Sequence, residues 1–223
     1  MGRTVNKTFA VNRYEFDLTD EEIAAGVHRR RVGGKWEKIG RHQYEYLLMQ
    51  GLQPHHRMLD VGCGSLRGGR HFARHLDPGN YFGIDVNESL LRAAVQSEIP
   101  AEGLQDRLPE QNLRHTDVFD CDFGVQFDFA LAQSVFTHLT LNHIRLCLWQ
   151  VGASMAPNGR FYATVFGYRK HPMDQVEPQV KDPYAYTRAD MEWVAGQTGW
   201  QAQWLGDWGH PRGQQMVLFT RPG

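Results

Sequence analysis

The sequence predicts an α/β protein with a doubly wound, mostly parallel sheet. From residue 57 onward, short apolar runs alternate with segments of helical character, and the runs end in glycine or aspartate. Near the end of the chain, two strand-like runs flank Gly209-His210-Pro211-Arg212-Gly213, which is a hairpin signal. Alternating strands and helices are typical of βαβ units. We therefore expect a seven-stranded sheet with an antiparallel C-terminal edge hairpin.

The first 50 residues have a different pattern and predict a helical lead-in without strands. Thr19 and Glu22 have the spacing of a capping box, which predicts a short helix that ends near Gly26. Residues 38–50 predict a second helix that stops at Gly51. The basic run at residues 28–31 is interpreted as a solvated loop. The predicted domains are thus a lead-in or lid at 1–50 and an α/β domain at 51–223.

Within the α/β domain, strands and helices alternate until the final hairpin. The predicted helices are 66–76, 88–97, 141–156 and 188–198. The predicted strands are 58–61, 81–85, 113–117, 127–132, 160–166, 201–208 and 214–220.

Composition narrows the classes of partner and compartment. The 223 residues carry a formal net charge of −1, which gives no broad field to attract nucleic acid or anionic lipid. The three cysteines, Cys63, Cys121 and Cys147, lack metal-ligand spacing, and their odd number argues against a disulfide framework. The N-terminus lacks the apolar core of a signal peptide, and no run reaches the roughly 20 apolar residues of a membrane span. We expect a reduced, cytoplasmic protein with no nucleic-acid or membrane partner.

Candidate ligand-binding residues follow three successive strands. The turn Asp60-Val61-Gly62-Cys63-Gly64 follows the first strand, Asp85 ends the second, and Asp117 ends the third. Ligands of open α/β sheets bind beyond the carboxyl ends of the strands. Glycines let the backbone approach a ligand, and a carboxylate 21 residues after Gly64 can accept both hydrogens of a ribose diol. Asp117 could contact an adenine amino group, with the backbone amide of the next residue on the ring edge.

The nature of the ligand depends on the residues around this turn. The dinucleotide fingerprint G-x-G-x-x-G requires a third glycine where this chain has Arg67. A pyrophosphate also favours a helix N-terminus, whereas Asp60 at the start of the turn suits a cation. NAD therefore remains an alternative, and a cationic cofactor is favoured.

Several segments resemble, in order, the class I S-adenosylmethionine (SAM) dependent methyltransferases, which have a Rossmann-like fold. Residues 58–64 resemble motif I, 81–85 the ribose-binding strand end, 115–119 the adenine-contacting segment, and 133–139 the stretch after the fourth strand. Residues 155–161 resemble the turn into the fifth strand. The resemblance implies SAM as cofactor and S-adenosylhomocysteine (SAH) as product. The residues it places at the cofactor are Asp60, Gly62, Cys63 (through its backbone), Gly64, Asp85, Val86, Asp117, Val118, Gln133 and Ser134.

The methyl acceptor is less constrained by the sequence. His138 follows the fourth strand and is our candidate general base, because histidine titrates near neutral pH; His143, His171 and His210 are other candidates. The [N/D]-P-P-[Y/F] motif of enzymes that methylate nucleobase amines or glutamine amides is absent after the fourth strand, and carboxylates for a metal are too few. We expect no metal, a possible homodimer, and a small-molecule acceptor methylated on oxygen. An N-methyltransferase of a small molecule or protein remains an alternative.

Aromatic residues around the fifth strand and in the lead-in are expected to enclose this acceptor. The segment 168–186 is rich in proline and aromatic residues, and glycines precede Trp36 in a way that suits a closing lid. The predicted substrate-binding residues are Trp36, His138, Tyr168 and His210, with Tyr14, Phe16, Tyr184 and Trp208 as further candidates for the wall.

Overall fold

The computed structural model describes residues 16–167 and 183–221. Its helices are α1 (Asp20–Ala24), α2 (Val27–Arg31), α3 (Trp36–Met49), α4 (Gly69–His75), α5 (Glu88–Ala93), α6 (Ile99–Ala101), α7 (Leu141–Ser154) and α8 (Arg188–Gly196). Its strands are β1 (Met58–Val61), β2 (Tyr81–Asp85), β3 (Leu113–His115), β4 (Phe127–Ala132), β5 (Met155–Gly167), β6 (Ala185–Tyr186), β7 (Gln201–Asp207) and β8 (Gln215–Thr220).

The strands form one twisted sheet in the order β3-β2-β1-β4-β5-β8-β7, and the two-residue β6 pairs with the end of β5. The first five strands in this order are parallel, whereas β8 runs antiparallel to both β5 and β7. This confirms the doubly wound sheet with an antiparallel C-terminal hairpin. The strand order reverses between β1 and β4, and the crevice at such a switch point is where ligands of this architecture bind.

The core lies on both faces of the sheet because the central strands are buried on both sides. All four residues of β1 and all five of β2 are buried, as expected of strands covered by helices on either face. One cluster packs α7 and α8 against the sheet and includes Phe136, Phe161 and Trp200. The other packs α3 and α4 on the opposite face and includes Leu47, Phe72 and Tyr162.

The lead-in contains an additional helix where the sequence predicted a solvated loop. Residues 27–31 form α2, and His28 is fully buried with its Nε2 2.5 Å from Glu98 Oε1. Arg29 donates to both carboxylate oxygens of Glu98 at 2.7 and 3.0 Å. Burial alone would raise the pKa of Glu98, but these partners bring it below its usual value. The interpretation of residues 28–31 as a solvated loop was therefore wrong. His28 is buried against Glu98, which lies 70 positions away in the sequence.

Several element boundaries also differ from those predicted. The helix expected at 66–76 begins only at Gly69, because Leu66 has a left-handed backbone with φ 70°. The helix expected at 88–97 changes to a π-helix at Ala94–Glu98, which widens its last turn.

No helix in the described part of the chain is both long and apolar enough to cross a lipid bilayer.

Candidate functional site

A cavity of about 550 Å³ lies at the carboxyl ends of β1, β2 and β4, in the crevice at the switch point. We call it the strand-end cavity. The structure brings ten of the predicted site residues to its wall: Asp60, Gly62, Cys63, Gly64, Asp85, Val86, Asp117, Gln133, Ser134 and His138.

The glycine turn between β1 and α4 needs its glycines for two separate reasons. Gly62 and Gly64 have φ values of 73° and 55°, a left-handed backbone that glycine adopts without strain. A Cβ placed on Gly62 would also lie 2.4 Å from Cγ2 of Val135, so a side chain there would collide with the opposite wall. The turn thus exposes backbone rather than side chains to the cavity.

Cys63 is directed away from the cavity into the sheet. A Cβ placed on Gly83 of β2 would lie 2.7 Å from Cys63 Sγ, so the thiol occupies the space that the missing side chain leaves. Burial raises the pKa of this thiol well above its usual value. Cys63 is therefore an inert packing residue whose side chain does no chemistry.

Asp85 is held at the end of β2 by backbone amides. Its Oδ2 accepts from Gly64 N at 2.7 Å and its Oδ1 accepts from Asn87 N at 2.8 Å. Burial raises the pKa of Asp85, while these two hydrogen bonds act in the opposite direction. The glycine turn and the carboxylate consequently form one rigid unit, with the remaining lone pairs of the carboxylate available for a ligand.

Asp60 is also part of the cavity wall, and its pKa is unusually high for an aspartate. It is buried, and the Tyr81 hydroxyl donates to its Oδ2 at 2.8 Å. Burial raises its pKa to about 7, although the Tyr81 hydrogen bond lowers it in part. A cation that enters the cavity would return this carboxyl group to its charged form.

The side of the cavity after β4 is a connected network of buried polar groups. Gln133 Oε1 accepts from Arg67 Nη2 at 2.7 Å, and Gln133 Nε2 donates to Ser134 Oγ at 2.7 Å and to Gln214 Oε1 at 3.3 Å. Gln214 Oε1 also accepts from the hydroxyls of Ser134 and Thr164 at 2.9 and 2.8 Å. The network fixes Ser134, whose φ of 60° is rare for a residue with a side chain.

A strap formed by residues 32–35 covers the glycine turn. Arg67 Nη1 donates to the carbonyls of Val32 and Gly34 at 2.6 and 3.4 Å, and Arg212 donates to the carbonyl of Gly33. Gly33, Gly34 and Lys35 all have positive φ, at 91°, 63° and 47°. Three successive carbonyls are thus fastened by two arginines from different parts of the fold, and Val32 lines the cavity.

Two histidines line the end of the cavity that lies over β4 and β5. His138 closes a short 3₁₀ turn after β4, and His143 lies in the first turn of α7. The rest of this wall comes from Val135, Leu139, Phe166 and Pro183. Pro183 is held there because Tyr184 N donates to the Thr137 carbonyl at 2.7 Å.

Six of the predicted site and wall residues that the structure describes do not line the strand-end cavity: Val118, Trp36, His210, Phe16, Tyr184 and Trp208. Val118 is 47% exposed beside it, and Trp36 lies under the guanidinium groups of Arg29 and Arg70. His210 stacks on Trp208 behind Gln133, and burial together with nearby cationic groups lowers its pKa to about 4. Tyr14, Tyr168 and His171 lie outside the described residues.

Several residues that line the cavity were not predicted from the sequence. Val32 and Gln43 come from the lead-in, Arg67 was considered only as a missing glycine, and Gln214 sits just before β8. A buried glutamine in a hairpin carries no signal in the sequence. The basic residue after the glycine turn could have indicated a bridging role, since a buried arginine needs acceptors.

The donor set suits a nucleoside with a cationic extension. Asp85 offers carboxylate oxygens at the end of β2, the glycine turn offers a close backbone surface, and Asp60 offers a carboxyl group that a cation would ionise. Within residues 16–167 and 183–221, no three His, Cys, Asp or Glu side chains are grouped closely enough to hold a metal ion.

Comparisons with known proteins agree with this geometry. Residues 59–161 match the family model described as a methyltransferase domain. The matched range begins in β1 and ends in β5, so it contains the glycine turn, Asp85 and His138.

Solved structures of SAM-dependent methyltransferases share the whole fold. Magnesium protoporphyrin IX methyltransferase (ChlM) from Synechocystis PCC 6803 with bound SAM is 15% identical, with a TM-score of 0.62 over 94% of this chain and 88% of that chain. A SAM-dependent methyltransferase from Clostridium acetobutylicum ATCC 824 is 13% identical, with a TM-score of 0.67 over 92% and 100%. CalS10, an amino pentose methyltransferase from Micromonospora echinaspora, is 17% identical, with a TM-score of 0.60 over 93% and 99%. At these identities the likeness establishes the fold alone, and the family match adds a methyltransferase domain over residues 59–161 of this chain.

Proposed function

We propose that this enzyme transfers the methyl group of SAM to an oxygen atom of a small-molecule acceptor, with His138 as the general base. The observation that carries the proposal is that His138 lines the same cavity as the glycine turn and Asp85. A group that is to take a proton from the acceptor must lie at the methyl end of the cofactor, and the resemblance to the methyltransferases would put that end near the residues after β4.

The ends of successive strands would hold the cofactor, and each strand end would contact a different part of it. SAM supplies an electrophilic methyl group on a sulfonium sulfur. Asp117 would meet the adenine, Asp85 the ribose hydroxyls, and the backbone of the glycine turn the methionine portion. Asp60 would face the cationic part of the cofactor. Asp85 is supported by its fixed orientation, because two amides already hold its carboxylate.

The protein has to position the two reactants and to remove one proton from the acceptor. When bound, SAM would supply the methyl group, whose bond to the sulfonium sulfur would break as the acceptor oxygen bonds to the methyl carbon, with SAH as the leaving group. His138 would take the hydroxyl proton of the acceptor on its imidazole. The acceptor leaves as a methyl ether, and the imidazolium then returns its proton to solvent. Much of the acceleration would come from holding the two reactants in line within a wall of apolar side chains.

A small-molecule acceptor is supported by the apolar residues Val135, Leu139, Phe166 and Pro183 in the described wall of the cavity, and by the structures that share the fold. Two of those structures are described as methyltransferases of magnesium protoporphyrin IX and of an amino pentose, which are small molecules. An amine acceptor is the second candidate, because one similar structure is described as a glycopeptide N-methyltransferase.

We further propose that the lead-in acts as a lid over the cofactor. Val32 lies close enough to the turn that a Cβ placed on Gly64 would approach it to 3.0 Å, and the strap is fastened by Arg67 and Arg212. A strap that must release its hydrogen bonds to admit SAM would slow both entry and exit of the cofactor.

Two measurements test the proposal. Titration calorimetry with SAM and, separately, with NAD should give binding for SAM only, and binding of NAD without SAM would contradict it. A screen for methyl transfer to uncharged phenols, sugars and amines should then give methyl ethers. Transfer exclusively to amines would move the proposal to its second candidate.

A further inference from the structure

The helix α3 of the lead-in reaches the strand-end cavity at Gln43. This side chain lines the cavity beside Gly68, and the residue is only 4% exposed. Among the residues that the structure describes, none forms a hydrogen bond with its side-chain amide. Most buried amides are hydrogen-bonded, because an unpaired donor or acceptor loses its hydration without compensation. The amide of Gln43 is therefore a candidate for contact with a ligand in the cavity.

Two glycines bring this amide to the cavity wall. Gly68, which precedes α4, has φ −89°, a value that any residue adopts, so its backbone does not require glycine. A Cβ placed on Gly68 would lie 2.3 Å from Nε2 of Gln43, so the missing side chain leaves room for the amide. A Cβ placed on Gly40, one turn before Gln43 in α3, would lie 2.3 Å from the carbonyl oxygen of Arg67. The close approach of α3 to this backbone makes Gln43 part of the cavity.

Gln43 and Asp60 lie on neighbouring parts of the same wall. The Tyr81 hydroxyl donates to Asp60 Oδ2 at 2.8 Å, and a Cβ placed on Gly69 would lie 2.3 Å from that hydroxyl oxygen. Gly69 directly follows Gly68, against which the amide of Gln43 packs. A carboxyl group attracts a positive charge, and an amide N–H can donate to a negative one. This wall therefore suits a ligand group that carries a cation and an anion close together.

In SAM and SAH, the amino acid end has this pair of charges, as an α-ammonium and an α-carboxylate group. We propose that the amide of Gln43 donates a hydrogen bond to this carboxylate, so that the lead-in helps to select a cofactor with an intact amino acid end. This inference rests on the proposed function and assigns one more residue to the proposed cofactor site. An adenosine thioether that lacks the amino acid end would not meet Gln43, and its binding should not depend on this residue.

Titration calorimetry with three ligands tests the assignment without any methyl transfer. SAH has both charged groups, S-adenosyl-3-thiopropylamine (decarboxylated SAH) has the ammonium group only, and 5′-methylthioadenosine has neither. Gln43→Met should weaken the binding of SAH by about 10- to 100-fold, the value of a hydrogen bond to a charged group. The Kd values of the other two ligands should stay unchanged. Gln50→Met, at the end of the same helix and away from the cavity, is the matched control and should leave all three Kd values unchanged.

A second variant tests the same contact from the opposite side. Gly68→Ala places a methyl group where the amide of Gln43 lies, so the amide must move and SAH should again bind more weakly. Gly196→Ala, where the added Cβ meets open space, is its control and should bind SAH as the wild type does. Binding of SAH to Gly68→Ala that equals binding to Gly196→Ala would overturn the inference, since the amide would then have moved without consequence.

The ligand series separates the other outcomes. If Gln43→Met weakens 5′-methylthioadenosine as much as SAH, Gln43 only supports the fold and the inference is wrong. Equal weakening of SAH and of its decarboxylated form would also overturn it, because the amide would then not contact the carboxylate. If the wild type binds SAH and Gln43→Met binds it equally well, the proposed function stands and this inference fails. If the wild type does not bind SAH, the proposed function fails, and this inference fails with it.

Discussion

The buried carboxyl group of Asp60 should make the stability of the cofactor-free protein depend on pH, and the substitution Asp60→Asn should remove this dependence. Burial raises the pKa of Asp60 from 3.8 to about 7 in the folded chain, whereas the unfolded chain leaves it near its ordinary value. Between these two values folding takes up a proton, so stability falls as the pH rises through this window and levels off above about pH 7. Asp60→Asn keeps an acceptor for the Tyr81 hydroxyl and has no proton to take up.

The size of the effect follows from the distance between the two pKa values. A difference of about 3 pH units corresponds to ~4 kcal/mol, reached at a slope of about 1.4 kcal/mol per pH unit. The variant should therefore gain stability over the wild type steadily from about pH 4 to pH 7 and keep a constant advantage above that. For a chain of this length, ~4 kcal/mol corresponds to a rise in Tm of roughly 8–16 °C.

The assay is thermal unfolding of both proteins without cofactor at pH 5, 6, 7 and 8. The difference between the two Tm curves isolates Asp60, since the other titrating groups are present in both proteins. Asp106→Asn, at an exposed position, is the matched control and should give parallel curves. Parallel curves for Asp60→Asn would refute the reasoning, because they would mean that the carboxyl is already ionised in the folded chain.

Three further substitutions test the proposed roles in the site. Asp85→Ala should weaken SAM binding in calorimetry by about 1–3 kcal/mol, because hydrogen bonds to a charged group are lost, and unchanged affinity would remove Asp85 from the ribose position. His138→Ala should lower kcat by roughly 10²- to 10⁴-fold with little change in the Kd for SAM, whereas an equal loss of both would make it a cofactor-binding residue. Arg212→Gln should raise the dissociation rate of SAM in stopped-flow measurements by about 3- to 10-fold, since it releases the Gly33 carbonyl. Arg221→Gln, which removes a similar bond to Gly152 at 2.8 Å, should leave that rate unchanged, and equal effects would argue against a lid.

The parts of the fold that the sequence predicted well are those specified by local pattern. Local sequence determines the apolar runs of β1, β2 and β4 and the glycines of the turn. Their positions, and with them the strand-end cavity, could therefore be predicted. The buried groups that complete the site depend on distant partners: Arg67 meets Gln133 across 66 positions, and Gln133 meets Gln214 across 81. No periodicity encodes such pairs.

Residues with a strained backbone and the buried acid Asp60 lie around the same cavity. The described residues other than glycine with positive φ are Lys35, Leu66, Phe119 and Ser134. Phe119 and Ser134 line the cavity, Leu66 follows the glycine turn, and Lys35 ends the strap. Each such conformation costs on the order of 1 kcal/mol or more and persists only where surrounding contacts impose it. A cation that binds beside Asp60 would favour the charged form of this carboxyl group, so its binding to the folded chain would stabilise the fold. SAM should accordingly raise the Tm of the wild type more than that of Asp60→Asn, and the gap should widen from pH 6 to pH 8. An equal rise in both proteins would place the cationic part of SAM elsewhere in the cavity.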